Sequence, residues 1–173
     1  ENIHHILLYD FAIHWFDMVS CVFGESCPTQ VFANTSRVPD QDVEPPLSAG
    51  ALVSFDAGQA SLNFHAATQF SPAETTVVTG TKGTFRSTGP VCANDQVTLT
   101  TAEGEALVPL DGNWFNDGFA GAMGELLCAI EEDREPENSA KENLRSLELC
   151  FAAMTSADSG QPIKPGDILD ITI

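Results

Sequence analysis

The stretch Ile6–Phe23, ILLYDFAIHWFDMVSCVF, is almost wholly apolar and holds only three groups that charge near neutral pH, Asp10, His14 and Asp17. At 3.6 residues per turn these three fall on one narrow face of a helix. The remaining side chains predict a helix buried nearly all round. Burying a carboxylate or an imidazole is costly unless it is paired or hydrogen-bonded. The stripe therefore either satisfies itself within the core or faces a cavity in which something else binds.

Outward from this helix the pattern changes. Gly24 closes the apolar run as a helix breaker. Between residues 29 and 108, Thr, Val, Phe and Ala alternate with polar residues, punctuated by Gly and Pro. That composition predicts strands at 29–38, 51–56, 60–70, 75–79, 83–87, 96–101 and 106–109. Turns are expected at Ala57-Gly58, Thr81-Lys82-Gly83 and Glu103-Gly104. With no helical segment between them, these strands must pair largely antiparallel. Leu62, Phe64, Ala66 and Phe70 should face one way, and Asn63 and His65 the other. Two helices follow. The first carries Phe119, Met123, Leu126, Leu127 and Ile130 at helical spacing and stops at Arg134-Glu135-Pro136. The second opens on Ser139-Ala140-Lys141-Glu142, a capping box, and ends at Ser159-Gly160. A final edge strand is expected at 168–173. The fold class is α+β: one large, predominantly antiparallel sheet with helices packed on one face.

Bulk properties narrow the function. The chain has 173 residues and a net charge of −18, from 25 acids against 7 bases. Such a surface repels phosphate backbones and anionic headgroups, so neither nucleic acid nor membrane is an expected partner. No run reaches the length of a membrane span, and the N-terminal run lacks the basic flank of a signal peptide. Five cysteines without CxxC spacing read as buried free thiols in a reducing compartment, hence a cytoplasmic protein. The chain opens at Glu1 without Met and enters an apolar helix almost at once, so a longer protein is expected upstream.

Asp10 and His14 are one turn apart, where a carboxylate can fix the imidazole tautomer and raise its basicity, a pairing suited to general acid–base work. Asp17 lies a further turn on. The competing reading is a self-satisfied triad that holds the helix in place. His4, His5, Asp10, His14 and Asp17 also crowd the N-terminus, but no second ligand cluster appears downstream, and no metal site is expected. His65 reads as a hydrogen-bonded or solvent-facing strand residue. Gly80-Thr81-Lys82-Gly83 reads as a turn rather than a phosphate loop.

In combination these features resemble the C-terminal domain of the glucose–fructose oxidoreductase, inositol dehydrogenase and MocA family over essentially the whole chain. The resemblance rests on Asp10-x-x-x-His14-x-x-Asp17 followed by Gly24, on the Gly80–Phe85 turn, and on the run from Asn113-Trp114-Phe115 to Ala129-Ile130. The closing helix from Ser139 to Gly160 completes it. It implies that residues 1–173 form a substrate-binding and dimerisation domain of a two-domain enzyme. The missing N-terminal Rossmann domain would bind NAD or NADP. Hydride would pass between the nicotinamide and a carbon bearing a hydroxyl or carbonyl on a sugar or cyclitol. By motif position His14 is the acid–base and Asp10 positions substrate and tunes His14, whereas Asp17 is a structural partner. No residue here is assigned to the cofactor, and the family's catalytic lysine lies in the absent domain, so this chain alone is expected to be inactive. The resemblance further implies a homodimer or homotetramer formed through the open sheet face.

The entry to the helix departs from the family pattern. Asn2-Ile3-His4-His5 stands where a glycine-rich turn is common; that turn borders the pocket in the family, so the substrate is left open and neither His5 nor Tyr9 is assigned to it. Two other functions fit the same residues. One is a non-catalytic sugar-binding or regulatory module, and the other a metal-dependent hydrolase centred on Asp10 and His14.

Overall fold

The computed structural model describes residues 4–90 and 95–168. They divide into two compact units, one formed by Glu1–Ala67 with Ser139–Ile173 and the other by Thr68–Asn138. In chain order the elements begin with a π-turn, Leu7–Phe11, that leads into α1, Ala12–Phe23. Strands β1 (Pro28–Ser36), β2 (Ser48–Phe55) and β3 (Gly58–His65) follow. The second unit holds β4 (Ala73–Thr79), β5 (Gly83–Pro90), β6 (Gln96–Thr101), β7 (Gly104–Val108) and α2 (Asn116–Glu131). Helix α3, Ala140–Ser159, returns to the first unit.

In the first unit β1, β2 and β3 form an antiparallel sheet in that order. Strict alternation sends Val31, Ala33, Ala49, Ala51, Val53, Phe55, Leu62 and Phe64 to one face, where all are buried. Against that face pack Leu7, Leu8, Ala12 and Phe16 from the N-terminal segment and Leu149, Cys150, Ala152, Ala153 and Met154 from α3. The small alanines on β1, β2 and α3 let helix and sheet approach closely. Phe23 stacks on Phe55 with ring centroids 3.7 Å apart. The position of Phe23 requires Gly58, since a Cβ there would lie 2.8 Å from the Phe23 ring. The free edge of β1 is covered. Val31 exchanges backbone hydrogen bonds with Ile163 of the tail, and the Ala33 amide donates to Ser156 Oγ at 2.9 Å.

Helix α3 is capped as expected. Ser139 Oγ accepts from the Glu142 amide, and Gly160 takes the left-handed conformation at φ 65°.

In the second unit β4, β5, β6 and β7 form an antiparallel meander. Gly83 is required where β5 meets β6, because any Cβ would collide with the Thr100 carbonyl oxygen. At the end of α2, Arg134 bonds Glu125 and Glu132, each at 2.6 Å, and the Glu137 amide also donates to Glu125. These bonds hold the Glu125 carboxyl down to about 2.

The α+β class, the antiparallel pairing and all seven strands stand, with the strands distributed over two sheets of three and four. Three finer expectations are corrected. The first helix is not buried all round: Ile6, Phe11, Met18 and Val22 are exposed, because one sheet and one helix cover only one side of it. Strand β3 ends at His65, so Phe70 lies beyond the sheet and is 86% exposed. Among the described cysteines Cys21, Cys27 and Cys128 are exposed and only Cys150 is buried; all four are free. The remaining cysteine, Cys92, and most of the expected strand at 168–173 lie outside the described residues.

Candidate functional site on the first helix

The site begins with a departure from α geometry. In an α-helix the Ala12 amide would bond to the Leu8 carbonyl; here it bonds to Leu7, five residues back. Asp10 sits inside this π-turn, and His14 sits in the first turn of α1. Both are exposed and share no hydrogen bond among the described residues. The two side chains stand on one exposed ridge without pairing.

An aromatic cluster supports the ridge. Phe11 stacks on Trp15 with centroids 4.8 Å apart, and both meet Phe64 of β3 edge-on, at 6.0 and 5.8 Å. The His14 ring lies edge-on to Trp15 at 6.2 Å. His14 thus has an aromatic neighbour and is itself exposed.

The third member of the stripe behaves differently. Asp17 Oδ1 accepts a hydrogen bond of 2.8 Å from Ser146 Oγ on α3, and Ser146 is fully buried. All three residues of the stripe are exposed; it separates into a bonded one, Asp17, and two without a hydrogen bond among the described residues, Asp10 and His14. His5 is buried, and its Nε2 lies 2.8 Å from Asp158 Oδ1. Tyr9 is half-buried against the core. His65 meets Ser48 Oγ at 3.2 Å through Nδ1 on the outer face of the sheet.

Helix α3 supplies the polar contacts that the sequence did not disclose. From Ser146, Cys150 and Asp158 it holds Asp17, the Leu8 carbonyl and His5. A cysteine and a serine inside an apolar face are the only local trace of this role, and small residues in such positions ordinarily read as packing. Burial pushes the Cys150 thiol up to about 12. Cys21, beside Asp17, is also raised, first by desolvation and then by the Asp17 charge.

No group of three or more His, Cys, Asp and Glu side chains among the described residues is placed to hold a metal ion. A shallow hollow of about 210 Å³ lies on the opposite face of the sheet, centred on Gly50 and flanked by Asn34 and Asn63. No described helix is long and apolar enough to cross a membrane.

Known proteins share this fold. Residues 2–86 match the family model of the GFO/IDH/MocA C-terminal domain. An oxidoreductase from Agrobacterium radiobacter, solved with NAD+, L-tartaric acid and magnesium, superposes with a TM-score of 0.79 at 19% identity, covering 96% of this chain and 51% of that one. The WlbA dehydrogenase from Bordetella pertussis, solved with NADH and UDP-GlcNAcA, gives 0.65 at 21% identity over 93% of this chain and 44% of that one. An aldose-aldose oxidoreductase from Caulobacter crescentus complexed with glycerol gives 0.71 at 18% identity over 88% and 45%. No curated protein matches. The chain spans about half the length of these solved structures. The match over residues 2–86 and these superpositions give the described chain the α+β fold of the C-terminal domain of such oxidoreductases.

Proposed function

We propose that this chain is the substrate-binding and oligomerisation domain, residues 1–173, of a two-domain, NAD(P)-dependent oxidoreductase acting on a sugar or cyclitol-like substrate. His14 exchanges a proton with the substrate oxygen that interconverts between hydroxyl and carbonyl, and Asp10 positions the substrate beside it. The observation that carries this reading is the division of the stripe. All three residues are exposed, but Asp17 is bonded to Ser146, whereas Asp10 and His14 carry no such bond among the described residues and stand on a ridge backed by aromatic rings.

The described residues do not fit a dinucleotide. All their strand pairs are antiparallel, and a pyrophosphate cradle needs a parallel strand, a glycine turn and a following helix. The cofactor, NAD or NADP, is therefore assigned outside this chain, and the chain alone is expected to be inactive.

The oligomerisation role rests on the outer face of the first sheet. Phe32, Asn34, Gly50, Leu52, Ser61 and Asn63 form its centre without an acidic or basic residue, in a chain of net charge −18. Two copies approaching through such a face avoid like-charge repulsion, which suits a homodimer or homotetramer. A cytoplasmic location belongs to the same proposal and rests on the exposed free thiols. Turnover of polyols by the full-length gene product, with and without His14, tests the reading. A product that binds sugar without turnover would instead be the non-catalytic module.

A further inference from the structure

We infer that Cys150 is a positioning residue for the Asp10–His14 ridge: its buried thiol occupies the Leu8 carbonyl that the π-turn withdraws from the helical ladder, and so fixes where Asp10 stands relative to His14. The catalytic part of this inference rests on the proposed function; the part concerning the turn does not.

The Ala12 amide has moved from the Leu8 carbonyl to that of Leu7. Leu8 is fully buried, so water cannot replace the lost donor. Cys150, also fully buried, donates its S–H to Leu8 O at 3.4 Å. Burial keeps that thiol protonated at any ordinary pH, so the donor is permanent. The segment is gripped by α3 on both sides of the turn, through Asp158 on His5 and Ser146 on Asp17. Between these two anchors the Cys150 contact is the one made by the turn itself.

Without the thiol the Ala12 amide can return to Leu8, and the turn can tighten to α geometry. Removing one residue's worth of bulge rotates the residues before it by about 100° around the helix axis relative to those after it. Asp10 lies within the turn and His14 beyond it. By holding the turn open, the thiol sets where Asp10 stands relative to His14.

The test uses the full-length gene product with Cys150→Ser, which keeps a donor, and with Cys150→Ala and Cys150→Val, which do not. Hydrogen exchange of the peptide spanning residues 5–17 is expected to quicken by about two- to tenfold in the Ala and Val variants and to stay near wild type in Ser. In parallel, kcat on the polyol substrate should fall about 10- to 100-fold in Ala and Val, with cofactor KM unchanged and Ser rescuing the loss. A merely structural cysteine would lower the melting temperature and leave kcat per folded molecule intact. Unchanged exchange in both Ala and Val overturns the inference. Wild-type turnover in His14→Gln refutes the proposed function instead, and the exchange result then decides the role of Cys150 by itself.

Discussion

Asp17→Ala separates a structural carboxylate from a catalytic one. Ser146 Oγ lies 2.8 Å from Asp17 Oδ1, and Ser146 has no exposed surface. Removing the carboxylate leaves a buried hydroxyl without this acceptor, which costs about 1–3 kcal/mol. The hydroxyl can turn to the carbonyl four residues back along α3, and that escape sets the lower end of the range. Asp17→Asn keeps an acceptor oxygen and should cost less than about 1 kcal/mol. Because the chain forms two compact units, the reporter must be local. The only two tryptophans are Trp15 in the first unit and Trp114 in the second. A Trp114→Phe background therefore makes Trp15 fluorescence report urea unfolding of the unit that holds Asp17. Ser146→Ala should cost less than Asp17→Ala, and the double variant should recover part of the Asp17→Ala loss, since no buried hydroxyl then remains. Full stability combined with a large loss of turnover in Asp17→Ala would refute the reasoning and place Asp17 in the chemistry.

Three further outcomes follow from particular contacts. Leu52→Glu puts a charge at the centre of the uncharged sheet face and should convert the oligomer to monomer in light scattering, leaving circular dichroism unchanged. Gly83→Ala forces a methyl against the Thr100 carbonyl and should destabilise the second unit by about 1–3 kcal/mol in Trp114-monitored unfolding. The Glu125 carboxyl is held down to about 2 against an ordinary 4.5, mainly by its hydrogen bond to Arg134. Its contribution is therefore present above 4.5 and is lost as pH falls toward 2. Arg134→Ala should flatten the acid dependence of second-unit stability in that window, and high salt should mimic the variant only in part.

The sequence made the fold legible where periodicity and turn chemistry agree. Alternation of Leu62 and Phe64 with Asn63 and His65 identified the two faces of β3, and Ser139 with Gly160 bounded α3. Phe70 misled because its apolar character continued the alternation beyond the hairpin partner; β3 ends where β2 begins, at the Ser48–His65 pair. The partition into two sheets was not visible, since strand composition says which residues extend but not which edges meet.

The candidate site was legible as residue types and not as geometry. Asp10, His14 and Asp17 stand out by polarity within an apolar run, but 3.6-residue spacing assumes a regular helix, and the π-turn at Leu7–Phe11 breaks that assumption. The turn is held from α3, more than a hundred residues away along the chain, so no local pattern announces it. For the same reason the burial of His5 was not legible: its partner, Asp158, is equally remote.

The most direct test of the central claim is steady-state turnover of the full-length gene product on polyol substrates, comparing wild type with His14→Ala, alongside a fluorescence titration of dinucleotide binding. The account predicts a loss in kcat of about 10²–10⁴ with dinucleotide affinity unchanged. Undiminished turnover in His14→Ala, or a loss matched by equal weakening of dinucleotide binding, would contradict it.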